Sequence, residues 1–223
     1  MFASRVGRRL LLVTAATATV AAIIPATAAG ASPARPDACP SCGHNLIANA
    51  GAEAGKGTVD DNIVKVPGWK QTGGFTAASY AWTSGDLSKK SKGPKERGKN
   101  YFYGGPEHAR STGTEVVAIA AGGVSGGKVH YALSGWLGGF DGQNDHAVLT
   151  VTFENSAGKA LATASIGPVT EAQRKEVSEL LLRSTSGVVP KATRKVQIEL
   201  VMTRDDGSDN DGLADNLSLK FSS

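Results

Sequence analysis

The chain has 223 residues, with 24 lysines and arginines against 20 aspartates and glutamates, and 28 glycines. Residues 1–31 hold three arginines and no acid; without them 21 bases face 20 acids, so no basic excess is left to argue for an anionic partner. Six of those 21 bases sit in "SKKSKGPKERGK" (88–99), which has no aromatic residues to stack on bases; a nucleic-acid partner is excluded and the stretch reads as a solvated, mobile loop.

In chain order, Arg5, Arg8 and Arg9 precede the uncharged run Leu10 to Ile24. Ala26-Thr27-Ala28 and Ala29-Gly30-Ala31 then fit a small-x-small cleavage rule, so residues 1–31 read as a secretory signal peptide. The run is too short to span a bilayer, and no later stretch approaches the roughly 20 apolar residues a spanning helix needs. A secreted, extracellular protein without a membrane span is expected. Residues 32–44 read as a linker, and 45–223 as one domain.

Both cysteines lie in that linker, as Cys39 and Cys42 of "CPSCGH". In an exported chain the simplest reading is a small disulfide loop. A redox role ranks below it, because no helix follows to lower a thiol pKa. Zinc ranks last, since Cys39, Cys42 and His44 give at most three ligands.

"HNLIANAGAE" (44–53) reads as a short strand ending in a turn. Pro67-Gly68 marks another turn, before Trp69. Strands are expected in "FTAASYAW" (75–82), "NYFYGG" (100–105), "TEVVAIA" (114–120), "KVHYALSGWLGGF" (128–140) and "HAVLTVTFEN" (146–155), where polar and apolar residues alternate. "NSAG" (155–158) is a hairpin turn into "KALATASIGPV" (159–169). Thr170-x-x-Gln173 is a capping box that predicts a short helix from about Thr170 to Val177. "ELLLRSTSG" returns to strand, Val196, Ile198, Leu200 and Met202 alternate in the next, and Leu217, Leu219 and Phe221 in the last. The expected fold is an all-β antiparallel sandwich or jelly roll of eight or nine strands with one short helix.

Three segments carry a resemblance: "NLIANAGAE" followed by "PGW", the central "LSGWLGGFDGQNDHAVLTVTFENSAG", and "VPKATRKVQIELVMTR…NDGLADNLSL". Together, from about Asn45 to Phe221, they resemble galactose-binding-domain-like jelly rolls, a group containing many secreted carbohydrate-binding modules. Ala50 stands where that pattern has glycine, Ala52 where it has an aromatic, and Glu53 is retained. The resemblance implies a structural calcium ion held by Glu53 and by Asp215, with backbone carbonyls completing its shell.

The acid-rich "RDDGSDNDGLADNLSL" (204–219) does not itself read as a calcium loop. With Gly212 at the EF-hand glycine, Gly207 and Ser218 fall where ligands are required. Asp205 to Asp211 read as a solvated turn, whereas Asp215, beside a strand start, would be buried and in need of a partner. A glycosidase needs two carboxylates at a set separation; Asp141, Asp145 and Glu154 could pair with Asp215, and nothing marks them further. There is no G-x-S-x-G elbow.

Sugar binding on such a scaffold uses aromatic faces, with polar side chains for the hydroxyls. Trp82 is the first choice, with Trp69 and Tyr103 behind it. Tyr101 and Tyr103 are read as facing outward with Phe102 inward, and Trp136 as core. Asp141, Gln143 and Asn144 form a second candidate cluster at one end of the sandwich. The leading reading is a non-catalytic module that binds extracellular polysaccharide; the alternatives are a protein-interaction domain, as in an inhibitor or adhesin, and, more weakly, a glycan-active enzyme.

Overall fold

In the computed structural model, residues 39–120, 124 and 128–223 are described, and all belong to the unit Arg35–Ser223. The signal-peptide expectation lies outside the described residues. Ten strands follow in order: β1 Lys70–Thr72, β2 Thr76–Ser79, β3 Asn100–Gly105, β4 Arg110–Ala118, β5 His130–Gly139, β6 His146–Glu154, β7 Ala160–Ile166, β8 Glu179–Val188, β9 Lys195–Thr203 and β10 Asn210–Ser222. One helix, α1 Glu171–Arg174, lies between β7 and β8. No helix among the described residues is long and apolar enough to cross a membrane.

The strands form two antiparallel five-stranded sheets, β1-β4-β9-β6-β7 and β2-β3-β10-β5-β8. Alternation decides what faces the core between them. Along β6 every second residue is buried, and the register sets Leu149 against Leu200, Val151 against Ile198 and Phe153 against Val196 of β9. These side chains meet Leu133 and Leu137 of β5 and Leu217, Leu219 and Phe221 of β10 in one apolar cluster. Gly113 of β4 leaves room there for Phe75, since a Cβ at that position would lie 2.3 Å from the ring.

A bulge in β10 decides which aspartate goes where. The pairing with β5 shifts between Asp215 and Ser218, with Asn216 in the left-handed region (φ 45°). Ala214 therefore faces the main core, the next residue inward is Leu217, and Asp215 faces the other side of the sheet.

That other side is not bare. Tyr101, Tyr103, Leu180 and Leu213 form a second cluster under Tyr80 and Leu87 of the β2–β3 connection. The lysine-rich segment is docked by its backbone: Leu180 N–H donates to the Lys92 carbonyl and Tyr80 N–H to that of Lys99, both at 2.9 Å. The Arg97 guanidinium lies 5.2 Å from the Tyr80 ring centroid. The expected mobile loop is thus a pinned cover whose lysine side chains are exposed.

Other expectations also change. Residues 44–53 are not a strand: they follow β10 through isolated bridges and turns, with Asn49 and Ala52 both at positive φ. β1 is a strand where only loop was expected. The capping box holds, with Gln173 N–H donating to Thr170 Oγ1 and Thr170 N–H to Gln173 Oε1, both at 3.3 Å. The helix is shorter than expected because Lys175 and Glu176 both take left-handed φ. Cys39 and Cys42 are disulfide-bonded, and Gly43 N–H bonds the Phe221 carbonyl beside them.

Candidate functional site

Glu53 and Asp215 do come together. Both stand around Gly51, where a Cβ would lie 3.5 Å from Asp215 Oδ1 and 3.7 Å from Glu53 Cγ. Glu53 is exposed, and its Oε1 accepts from the N–H groups of Lys99 (2.9 Å) and Asn100 (2.8 Å). Asp215 is fully buried; its Oδ2 accepts from the Tyr80 hydroxyl at 2.8 Å and its Oδ1 from Asn216 N–H at 2.7 Å. Burial pushes its pKa up to about 7, against the pull of those hydrogen bonds. The partner that burial demanded is therefore supplied by protein donors. As hard oxygen donors the two carboxylates suit calcium, and Glu53 Oε2 accepts no hydrogen bond among the described residues. They are only two, though, and no group of three acidic, histidine or cysteine side chains among the described residues could hold a metal. Carbonyls would have to supply most of an ion's shell.

A second constellation lies where the β5–β6 and β9–β10 loops meet. Buried Asp145 organises it: its Oδ1 accepts from Asp205 N–H (2.7 Å) and Asp206 N–H (2.9 Å), its Oδ2 from Asp211 N–H (2.8 Å). Asn144 N–H donates to Asp206 Oδ2 at 2.9 Å, tying the two loops again. The turn after α1 sets Arg174, whose buried guanidinium donates to the carbonyls of Asp141 (2.8 Å), Gln143 (2.7 Å) and Val177 (2.9 Å). Two of these bonds hold the β5–β6 loop in place, and the third ties the turn after α1 to the same rigid fork.

Against these loops lies a concavity of about 300 Å³, lined also by Asp61 and by the first part of the β2–β3 connection. Its aromatic wall is Trp82, Tyr103 and Phe140, with the Trp82 and Tyr103 rings 6.2 Å apart and edge to face. Its acids are Asp61, Asp86, Asp209 and Asp211, and no lysine or arginine among the described residues lines it. Tyr103 donates its hydroxyl to Asp61 Oδ1 at 3.2 Å. Asp86 Oδ2 and Gln143 Oε1 are shielded from solvent and have no hydrogen-bond partner among the described residues. Asp211 is 6 % exposed, and its carboxylate accepts no hydrogen bond among them.

Crowding of acids shows in their proton affinities. Burial first, then the Asp211 charge, raises Asp86 well above the usual carboxylate range. Burial and the Asp145 charge push Asp211 up to about 7. Asp61 is raised by burial and by Asp209. Charges of one sign in a low-dielectric recess favour the protonated form, or a cation in its place.

Of the residues singled out from sequence, Trp82, Tyr103 and Gln143 meet at this concavity. Asp141 and Asn144 are exposed in the same loop, outside its lining. Trp69 is not available to a ligand: it is buried against Phe75 and Phe102, with centroids 5.8 and 5.3 Å away. Tyr101 faces away from the main core as expected, yet it is fully buried because the β2–β3 connection roofs that face. Trp136 faces that cover and is half-buried, rather than lying in the main core. Asp205 and Asp206 are exposed, as a solvated turn requires, but Asp209 is half-buried and Asp211 buried.

Asp61, Asp86, Asp211 and Phe140 were not anticipated. Asp211 was read as part of a solvated turn, but β10 begins at Asn210, so it belongs to the strand that also carries Asp215. Asp61 and Asp86 carry no signal, since nothing local separates them from ordinary turn aspartates.

No protein-family model and no curated protein matches the chain. Among solved structures it is similar to the enzymatically active domain of bacteriophage CBA120 tailspike protein 4, at 14 % identity and TM-score 0.48, covering 80 % of this chain but only 21 % of that one. It is similar to TmCBM61, solved with beta-1,4-galactotriose, at 13 % identity and TM-score 0.45, covering 79 % and 98 % of the two chains. It is also similar to a family 16 carbohydrate-binding module, at 17 % identity and TM-score 0.44, covering 78 % and 99 %.

Proposed function

We propose that the protein is a secreted, non-catalytic carbohydrate-binding module whose glycan lies in the Trp82 concavity. The observation that carries this reading is the half-buried Trp82 indole set against Tyr103 in a recess that also offers Gln143, Ser84, Ser208 and aspartate oxygens. An aromatic face packs on the apolar face of a pyranose and the polar groups fix its hydroxyls. A volume of about 300 Å³ is at the small end of ligand pockets, enough for one or two sugar units. The loops that hold the recess are clamped by Arg174 and Asp145, so the site is formed before the ligand arrives.

The test is a glycan array with insoluble-polysaccharide pull-down, run on the wild type and on Trp82→Ala. Retention of the wild type and an affinity loss of about tenfold or more in the variant are expected, consistent with ~1–3 kcal/mol for one stacking aromatic. Absence of binding to any glycan would overturn the reading.

One observation favours a second reading, glycan cleavage: Asp86 feels the Asp211 charge, and with Asp86 raised well above the usual carboxylate range and Asp211 only to about 7, Asp86 can hold a proton as general acid while Asp211 ionises as base. Release of new reducing ends from a bound glycan, lost in Asp211→Asn, would establish it. A structural calcium at Glu53 and Asp215 is part of the main proposal. Calcium is expected to raise the thermal unfolding midpoint over that in chelator, and Glu53→Gln to abolish the difference, because a ligand of the native state alone stabilises it. Equal midpoints would remove the ion from the account.

A further inference from the structure

Four carboxylates converge on the Trp82 concavity, and no basic side chain among the described residues lines it. Asp86 Oδ2 and Gln143 Oε1 are shielded and have no hydrogen-bond partner among the described residues, and Asp211, 6 % exposed, lines the same recess. A buried acceptor without a donor is costly, more so when charged, so the recess suits a donor-rich, positive ligand. We propose, building on the concavity as a glycan site, that its ligand is an amino sugar with a free primary ammonium, as in a deacetylated chitin-type glycan.

An ammonium carries three donors and no acceptor, matching the two shielded atoms of the lining that lack a partner among the described residues, Asp86 Oδ2 and Gln143 Oε1, both of them acceptors. It is a better match than a metal ion, because no three acidic or imidazole groups among the described residues could share one metal, whereas each N–H of an ammonium needs only its own acceptor. Trp82 adds a face on which the ring packs and toward which a cation is attracted. A neutral sugar would supply hydroxyl donors but would leave Asp86 and Asp211 to relieve their repulsion by holding protons, whereas an ammonium lets both ionise against it.

Isothermal titration with a glucosamine oligosaccharide, its fully N-acetylated counterpart, a glucose oligosaccharide of equal length and a lysine oligopeptide tests this. The glucosamine oligomer is expected to bind at least about tenfold tighter than the other three, and Asp211→Asn and Asp86→Asn each to weaken it about tenfold or more. Thermal midpoints of both variants, expected at or above the wild-type value, show that they fold; should one fail, the other carries the test. Equal binding of the acetylated or neutral oligomer, lost in Trp82→Ala, would overturn the ammonium preference and keep the glycan reading. Lysine-peptide binding as tight as that of the amino sugar would overturn the glycan assignment in favour of charge alone. Failure of every oligosaccharide would overturn both.

Discussion

Single residues set the sign of several measurable effects. Glu115 of β4 is 7 % exposed; its Oε2 accepts from Ala48 N–H at 3.0 Å, its Oε1 has no partner among the described residues, and burial pushes its pKa up to about 7. Asp211 is raised to about 7 as well. Acids raised in the folded state stabilise it fully below their unfolded values near 4, and that contribution is lost as pH rises through about 7. Thermal unfolding midpoints should therefore fall from about pH 5 to about pH 8, and Glu115→Gln should flatten the curve and raise its neutral end. A midpoint that rises over that range would contradict the assignment. Asp145 acts oppositely: Asp145→Ala leaves three N–H groups without their acceptor and is expected to cost about 3 kcal/mol in urea unfolding, with loss of any glycan affinity. The residue types behind these effects are written in the sequence, but their burial is not. Asp145 looks like any hairpin aspartate until the second loop is seen resting on it.

At the level of elements, alternation made β6 and β9 legible, because each buries every second residue and the period of two survives in the sequence. Leu200→Ala, at the centre of β9 opposite Leu149, should cost about 2–5 kcal/mol, whereas Val201→Ala, half-exposed on the other face, should cost less than about 1 kcal/mol. Similar losses at both positions would mean that the faces are misassigned. Two elements were illegible for physical reasons. β1 is three residues long, too short to show a period, and is defined by its pairing with β4. Residues 44–53 look strand-like, but their N–H groups go to the Leu219 carbonyl of β10 (Leu46), to Asn45 Oδ1 (Ile47), to Glu115 Oε2 (Ala48) and to the Asn49 carbonyl (Ala52) rather than to a ladder. The Thr170–Gln173 capping box was readable because it is wholly local.

Across the whole molecule, the concavity gathers residues from about position 61 to 211: Asp61, Trp82, Asp86, Tyr103, Gln143 and Asp211. Only the topology brings them together, since β3 and β10 are neighbours and the β5–β6 and β9–β10 connections share one end of the sandwich. Trp82 and Gln143 could be named from sequence as an aromatic and an amide in loops; the acids around them could not, because their meaning lies in one another. The same topology makes the site a test of the functional reading. The most direct measurement is an NMR titration of the isotope-labelled protein with the glycan best retained in pull-down. Perturbations are expected to cluster at the Trp82 indole N–H, the Gln143 side-chain amide and the backbone of Gly207 to Asp211. Perturbations confined to other surfaces, or none in the presence of any glycan, would contradict a binding site at this concavity.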